Sequence, residues 1–172
     1  MAEERSGVIT FKGNPMTLYG PELKVGDPAP YFNVVDNGLQ PVTRDDAKGK
    51  IQLITAVPSL DTPVCDAMTR KFNEAAGQLP DNVEVYTISL DLPFAQKRWC
   101  GAAGIEKVKL LSDYQDRSFG LNFGVLIREL KLLARAVFVL DQDEKIAYLE
   151  IVPEVTSDPD YDAALAAVKK LL

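Results

Sequence analysis

The chain has 172 residues, 47% of them hydrophobic, which is enough to bury a core without metal or disulfide supports, so we expect one domain over residues 1–172. Its 19 basic and 25 acidic residues give a net charge of −6, which argues against partners such as nucleic acid or an anionic membrane. The longest apolar runs have about five residues, whereas a bilayer-spanning helix needs ~20. The first seven residues lack the apolar core of a secretory signal. We therefore expect a cytoplasmic protein.

The first twenty residues predict a β-hairpin that extends the domain at its N-terminus. Two runs of β-branched and aromatic residues, 8–11 and 16–19, flank the turn-forming segment 12–15. An extended segment at 27–30 follows, and then a polar stretch at 36–50. We therefore expect a hairpin extension over residues 1–20.

The remaining chain alternates between strand and helix patterns. The predicted strands are residues 51–57, 83–90, 134–140 and 146–152. The predicted helices are residues 64–79, 94–103, 116–123 and 159–172. The first three strands are apolar enough to be central and buried on both faces, and the fourth pairs with the third across a turn. This order predicts an α/β fold with a central mixed sheet flanked by helices, compatible with a thioredoxin-like fold.

The last helix has marked boundaries in the sequence. Ser157 or Asp158 can cap its start, and Pro159 suits the first helical position. Lys169 and Lys170 suit its C-terminal end, where the helix dipole is negative.

The residue counts restrict the chemistry that the chain can perform. It has no histidine, which excludes a Ser-His-Asp or Cys-His site and histidine metal ligands. Its two cysteines, Cys65 and Cys100, are 35 positions apart, so they do not form the C-x-x-C motif of a thioredoxin-type dithiol. Counting alone leaves open that both are inert buried thiols.

The position of Cys65 favours a reactive thiolate. Thr62 and Pro63 have the capping-residue and proline pattern of a helix start, which places Cys65 in the first turn. There the unpaired backbone N–H groups and the positive end of the dipole stabilise a thiolate, and the Thr62 hydroxyl is close enough to help. The neighbouring Asp66 opposes ionisation. The alternative is that Thr62 only caps the helix and Cys65 is a small core residue.

These residues carry a family resemblance. Pro58, Thr62 and Cys65 match the P-x-x-x-[TS]-x-x-C motif of peroxiredoxins, and the full segment 58–65 resembles the thiol peroxidase branch. Further segments that resemble this branch are 11–15, 91–96 with Cys100, 133–137 and 159–165. The resemblance therefore extends over nearly the whole chain. One departure is Gln115, where members of the branch often have arginine, although Arg117 is nearby.

The resemblance implies an atypical 2-Cys peroxidase that reduces hydrogen peroxide and organic hydroperoxides. Cys65 would be the peroxidatic cysteine and Cys100 the resolving cysteine of an intrasubunit disulfide. Thr62 would bond the sulfur and the peroxide, Pro58 would shield the sulfenic acid, and Arg135 would hold the thiolate. The resemblance further implies thioredoxin as reductant, a homodimer, and no metal or other cofactor.

The residues themselves add two expectations. Arg135 lies at the start of a predicted apolar strand, where an unpaired buried cation would be costly. A thiolate partner would explain its position. The alternative is that Arg135 lies at the surface, at the start of the strand. The two cysteines belong to separate predicted helices, so we expect the reduced thiols to lie farther apart than a disulfide permits and both segments to unwind before bonding.

Three other functions remain possible from the sequence. A redox sensor would use the same cysteines and pass its oxidation to a partner protein. A dithiol oxidoreductase would reduce disulfides, although the cysteine spacing counts against it. An inert thioredoxin-fold binding module would need no reactive thiol.

Overall fold

The computed structural model describes residues 3–172, so the first two residues of the predicted 1–20 extension lie outside the described residues. The strands are β1 (Glu4–Phe11), β2 (Asn14–Tyr19), β3 (Asn33–Val35), β4 (Pro41–Thr43), β5 (Ile51–Ala56), β6 (Val83–Ser89), β7 (Lys109–Ser112), β8 (Leu126–Ile127), β9 (Ala136–Leu140) and β10 (Ile146–Ile151). The helices are α1 (Pro63–Ala76), α2 (Pro93–Ala103), α3 (Ser118–Asn122) and α4 (Tyr161–Lys170). Within residues 3–172, every helix is too short or too polar to span a membrane.

A seven-stranded mixed sheet, in the order β10-β9-β5-β6-β7-β3-β4, forms the centre of the fold. β5, β6 and β7 run parallel to one another, whereas β9 is antiparallel to both β5 and β10. Every residue of β5 and β9 is buried, which confirms that these are central strands covered on both faces. The predicted α/β fold with a flanked mixed sheet is therefore confirmed, and its arrangement is thioredoxin-like.

The two faces of the sheet support two separate apolar cores. On one face, Leu53 and Val139 pack with Met68 and Phe72 of α1 and with Val168 of α4. The core on the opposite face contains residues of the hairpin, α3 and the sheet, including Leu18, Phe119, Phe123, Ile54 and Phe138. Helix α1, which carries Cys65, is thus fixed on the sheet by its buried apolar face.

The N-terminal hairpin is tighter than the sequence predicts. Its turn consists of two residues, Lys12 and Gly13, with φ values of 51° and 81°, and Phe11 already pairs with Asn14. Two consecutive positive φ angles define the type I′ turn that matches strand twist in a hairpin. β2 also pairs with β8, which attaches the hairpin to the body of the fold.

The start of the last helix was predicted wrongly. α4 begins at Tyr161, and the Asp160 carboxylate accepts the amide of Ala163 at 3.0 Å, so Asp160 is the capping residue in place of Ser157 or Asp158. Asp158 instead accepts the Tyr161 hydroxyl, and Pro159 is buried ahead of the helix. The two terminal lysines lie in the last turn as predicted.

Candidate active site

The segment that joins β5 to α1 places Cys65 at a helix N-terminus. Thr62 has extended backbone angles at the capping position, Pro63 is the first helical residue, and Cys65 is the third. The Cys65 side chain is 0% exposed. Its sulfur therefore lies in the first turn, as the sequence predicts, where the helix dipole and unpaired amides favour negative charge, and it is shielded from bulk water.

The predicted capping bond of Thr62 is absent. The Thr62 hydroxyl donates to the carbonyl oxygen of Ser59 at 3.0 Å and makes no capping bond within α1. The hydroxyl hydrogen is thus engaged within the loop, which leaves its oxygen as an acceptor. Thr62 stabilises the turn that precedes the helix, a different structural role from the one expected.

Arg135 is the main electrostatic feature near the sulfur. It is only 2% exposed, and its Nη1 donates to Cys65 Sγ at 3.1 Å. Its Nε donates to the carbonyl oxygen of Val155 at 2.8 Å, and Met68 Sδ lies 3.7 Å from Nη1. The ion pairs found in residues 3–172 do not include Arg135. The surface alternative for Arg135 is therefore wrong, and a Cys65 thiolate would neutralise this buried cation.

Two further titratable side chains, Asp66 and Tyr161, lie near Cys65. The Asp66 carboxylate, which would oppose a thiolate, accepts Arg70 Nε at 2.7 Å one turn along the helix. Tyr161 at the start of α4 packs on Phe72, with ring centroids 5.3 Å apart. Burial and the hydrogen bond to Asp158 raise the pKa of Tyr161, so its hydroxyl stays protonated. The Asp66–Arg70 pair is exposed, so its effect on the buried sulfur is small, and the protonated Tyr161 adds no negative charge there.

Asp91 supports the active-site loop, and the sequence analysis gave it no role. Its carboxylate accepts the hydroxyl of Ser59 and the amide of Leu60, both at 2.8 Å, and also the hydroxyl of Ser89 at 2.9 Å. The signal available in the sequence was its position just after β6. The C-terminal ends of the parallel strands β5 and β6 meet at one edge of the sheet, so an acidic residue there reaches the loop after β5.

A cavity of about 240 Å³ lies beside Arg135. The residues that line it come from four segments and are Phe11, Lys12, Pro58, Thr62, Pro63, Val64, Arg135, Val155 and Thr156. Pro58, Thr62 and Arg135, which the sequence analysis singled out, thus share one cavity, and Arg135 connects it to the Cys65 sulfur. The lining includes neither Gln115 nor Arg117. Gln115 is exposed and donates to the Tyr114 hydroxyl.

Cys100 lies in a different environment, in the last turn of α2. Its thiol donates to the carbonyl oxygen of Ile105 at 3.0 Å, and both cysteines are free. Gly104 ends the helix in the left-handed conformation, with φ 69°, and its amide donates to the Cys100 carbonyl. Burial raises the pKa of the Cys100 thiol. The structure therefore places the two thiols on separate helices, in line with the prediction.

Fold and site together define a class of protein: a thioredoxin-like domain whose buried cysteine, at a helix start beside an arginine, is suited to thiol redox chemistry. The profile of the Redoxin family matches residues 24–165. The chain is 62% identical to the thiol peroxidase of Halalkalibacterium halodurans and 58% identical to that of Bacillus subtilis, each over 95% of this chain and 98% of the relative. The crystal structure of a peroxiredoxin-like protein from Aquifex aeolicus superposes with a TM-score of 0.91 at 47% identity, covering 97% of this chain and 99% of that one. The chain belongs to the Redoxin family, in the thiol peroxidase branch of the peroxiredoxins.

Proposed function

We propose that Cys65 is the peroxidatic cysteine of this thiol-dependent peroxidase. The observation that carries the proposal is the 3.1 Å hydrogen bond from Arg135 to the Cys65 sulfur, with both side chains buried. A cation and a helix N-terminus that converge on one sulfur favour the nucleophilic thiolate. The relatives are named thiol peroxidases, and no comparison favours the sensor or inert-module alternatives.

In the first step, the Cys65 thiolate attacks the nearer oxygen of a hydroperoxide. An S–O bond forms as the O–O bond breaks, so the sulfur is oxidised to a sulfenic acid and the peroxide is reduced. The leaving oxygen takes up the proton that the thiol had released and departs as water or an alcohol. Arg135 stabilises the charge that develops on this oxygen in the transition state.

Thr62 and Pro58 orient the peroxide and protect the product. The Thr62 hydroxyl gives its hydrogen to Ser59, so its oxygen is free to accept the O–H of a hydroperoxide and point the O–O bond at the sulfur. Pro58 is buried, lines the cavity and has no N–H, so it presents an apolar surface to the sulfenic acid. That surface limits access of further peroxide and water.

Cys100 is the proposed resolving cysteine. Its thiolate attacks the Cys65 sulfur, an S–S bond replaces the S–O bond, and the oxygen leaves as water. A disulfide requires Cα atoms within about 7 Å, so the end of α2 must release the bond to Ile105 and unwind. Gly101 and Gly104 lower the cost of that opening. Thioredoxin, the proposed reductant, then reduces the disulfide through two thiol exchanges and is itself oxidised.

The proposed working unit is a homodimer of this single domain in the cytoplasm. Leu92 and Phe94, at the start of α2, are 52% and 67% exposed. Neighbouring exposed apolar side chains of this size suit a protein interface. Sedimentation of the wild type and of Phe94→Ser tests this, and a monomeric wild type would contradict it.

A coupled assay tests the proposed function. Wild-type protein, thioredoxin and thioredoxin reductase are mixed with hydrogen peroxide, tert-butyl hydroperoxide or cumene hydroperoxide, and reductant consumption is followed. Sustained turnover in the wild type, with none above background in Cys65→Ser, is the expected result. A wild type that is oxidised once and then stops would identify a sensor, and equal turnover in Cys65→Ser would exclude Cys65 as the reacting group.

A further inference from the structure

One carboxylate, that of Glu154, hydrogen-bonds the turn of the N-terminal hairpin to the loop after β10. Glu154 accepts the amides of both turn residues, from Lys12 at 3.2 Å and from Gly13 at 2.8 Å. Its oxygens also accept the hydroxyl of Thr10 at 2.9 Å and the amide of Thr156 at 2.9 Å. The hydrogen bonds from Thr156 and Gly13 hold the pKa of Glu154 well below its usual range, so it is a carboxylate at neutral pH.

Backbone hydrogen bonds fix the hairpin only up to Thr10 along this junction. The Thr10 amide donates to the Pro153 carbonyl at 2.7 Å, and the Val155 amide donates to the Thr10 carbonyl at 2.9 Å. Beyond Thr10, the amides of Lys12 and Gly13 point to the Glu154 side chain. The position of the turn relative to the loop therefore depends on this carboxylate, whereas Val155, which binds Arg135, is held by backbone.

The same junction forms one wall of the cavity beside the reactive cysteine. Phe11 and Lys12 of the hairpin and Val155 and Thr156 of the loop line it together. The other lining residues are Arg135 and four residues of the active-site loop and the start of α1. Hydrogen peroxide is too small to need that wall, whereas the alkyl or aryl group of an organic hydroperoxide extends beyond the O–O bond and would contact it.

We propose that Glu154 is a positioning residue that holds the hairpin turn as the outer wall of the cavity and so sets the reactivity toward bulky organic hydroperoxides. The proposal rests on the proposed function, since it assumes that Cys65 reacts with peroxides. It assigns a specificity role to a side chain that does not touch the sulfur.

The test uses Glu154→Gln, which retains the size but loses the charge and one strong acceptor. Glu129→Gln is the matched control, because Glu129 accepts the amide of Thr17 and so holds another part of the same hairpin. In single-turnover stopped-flow, oxidation of Glu154→Gln by cumene hydroperoxide should slow about fivefold or more, as expected for loss of a charged hydrogen bond. Oxidation by hydrogen peroxide should stay within about twofold, and the control should match the wild type with both peroxides.

Hydrogen exchange gives a second, independent reading. The amides of Lys12 and Gly13 should exchange faster in Glu154→Gln, whereas exchange of the Val155 amide should be unchanged.

Equal slowing of oxidation by both peroxides, or an unchanged ratio of the two rates, would overturn the proposal. If Glu154→Gln does not fold, Thr10→Val, which removes one of the same bonds, should shift selectivity in the same direction by a smaller factor, and no shift would overturn the proposal. A wild type that no peroxide oxidises would instead refute the proposed function, and the exchange data would still report on the junction.

Discussion

The first turn of α1 and the last turn of α2 each carry a cysteine, in opposite electrostatic surroundings. Cys65 lies at the positive end of a helix dipole and accepts a hydrogen bond from the buried guanidinium of Arg135. Cys100 lies at the negative end of another helix, where its thiol donates to a carbonyl and burial raises its pKa. The positive end of one helix dipole favours negative charge, whereas the negative end of the other disfavours it.

In the proposed cycle, this difference would let one chain divide the two thiol steps between its two cysteines. A nucleophile that reacts first has to be ionised while its surroundings are folded, because the transition-state donors must already be in place. A resolving thiol gains nothing from early ionisation, since it must leave its helix before it reacts. A protonated cysteine in the last turn of a helix that ends at a glycine meets that need.

Replacement of Arg135 should have the largest effect on the Cys65 environment. Arg135→Met retains much of the buried volume but removes the cation, so oxidation of Cys65 should slow about 100-fold, as for loss of a donor to a developing oxyanion. Stopped-flow with hydrogen peroxide measures the rate, and circular dichroism checks the fold. Arg70→Met is the control for loss of an arginine near α1. An unchanged rate in Arg135→Met would remove this residue from the chemistry.

The pH dependence should separate the two steps. Because burial raises the pKa of Cys100, little of it is thiolate at neutral pH, and disulfide formation should accelerate up to about tenfold per pH unit. Because the pKa of Cys100 is higher in the folded state than in the unfolded state, the free energy of unfolding falls as the pH rises through the Cys100 pKa. The same rise in pH favours opening of the end of α2. The single tryptophan, Trp99, reports on this segment by its fluorescence. A second step whose rate does not change with pH would contradict a role for the Cys100 thiolate in that step.

Thr62 variants should give a smaller effect on the peroxide step. Thr62→Val removes the hydroxyl that bonds Ser59, so we expect a loss of about fivefold to tenfold in the rate of Cys65 oxidation. Thr62→Ser retains the hydroxyl and should keep most of the activity. Single-turnover rates of both variants decide the point: an unchanged rate in Thr62→Val would show that the hydrogen bond does not matter, and a large loss in Thr62→Ser would show that the methyl group does.

The smallest expected change concerns the attachment of α2. Arg70 stacks on Trp99, 5.6 Å from the ring centroid, and donates to the Ala103 carbonyl at 3.3 Å. Arg70→Met removes about 0.5–1 kcal/mol of this attachment, so disulfide formation should be about twofold to fivefold faster, with little change in the oxidation of Cys65. A slower second step would show that this contact guides the opening.

The long elements of the fold could be predicted from the sequence, and the short ones could not. β5, β6, β9 and β10 have continuous apolar or β-branched runs, which period and composition reveal. β3, β4, β7 and β8 have two to four residues each, too few to show a period, and they form because neighbouring strands present unpaired edges. At α4, several adjacent residues could cap, and only packing selects Asp160.

The same distinction applies to the site. Pro58, Thr62 and Cys65 are contiguous in sequence, so their motif and helix position could be read directly. Other features of the site depend on tertiary contacts, several of them to backbone atoms. They are the hydrogen bonds of Asp91 to the active-site loop, the hydrogen bond of Arg135 to the Val155 carbonyl, and the hydrogen bonds of Glu154 to the hairpin turn. Backbone amides and carbonyls carry no residue signature, so the contacts of Arg135 and Glu154 leave no pattern in the sequence, and only the position of Asp91 after β6 gave a signal.

The most direct test of the account is a single turnover of two variants with one equivalent of hydrogen peroxide, followed by a trap for sulfenic acid. Cys100→Ser should consume the peroxide rapidly and stop as a trapped sulfenic acid at Cys65, whereas Cys65→Ser should consume none. Cys65→Ser that still consumes peroxide, together with Cys100→Ser that does not, would contradict the assignment and exchange the roles of the two helix ends.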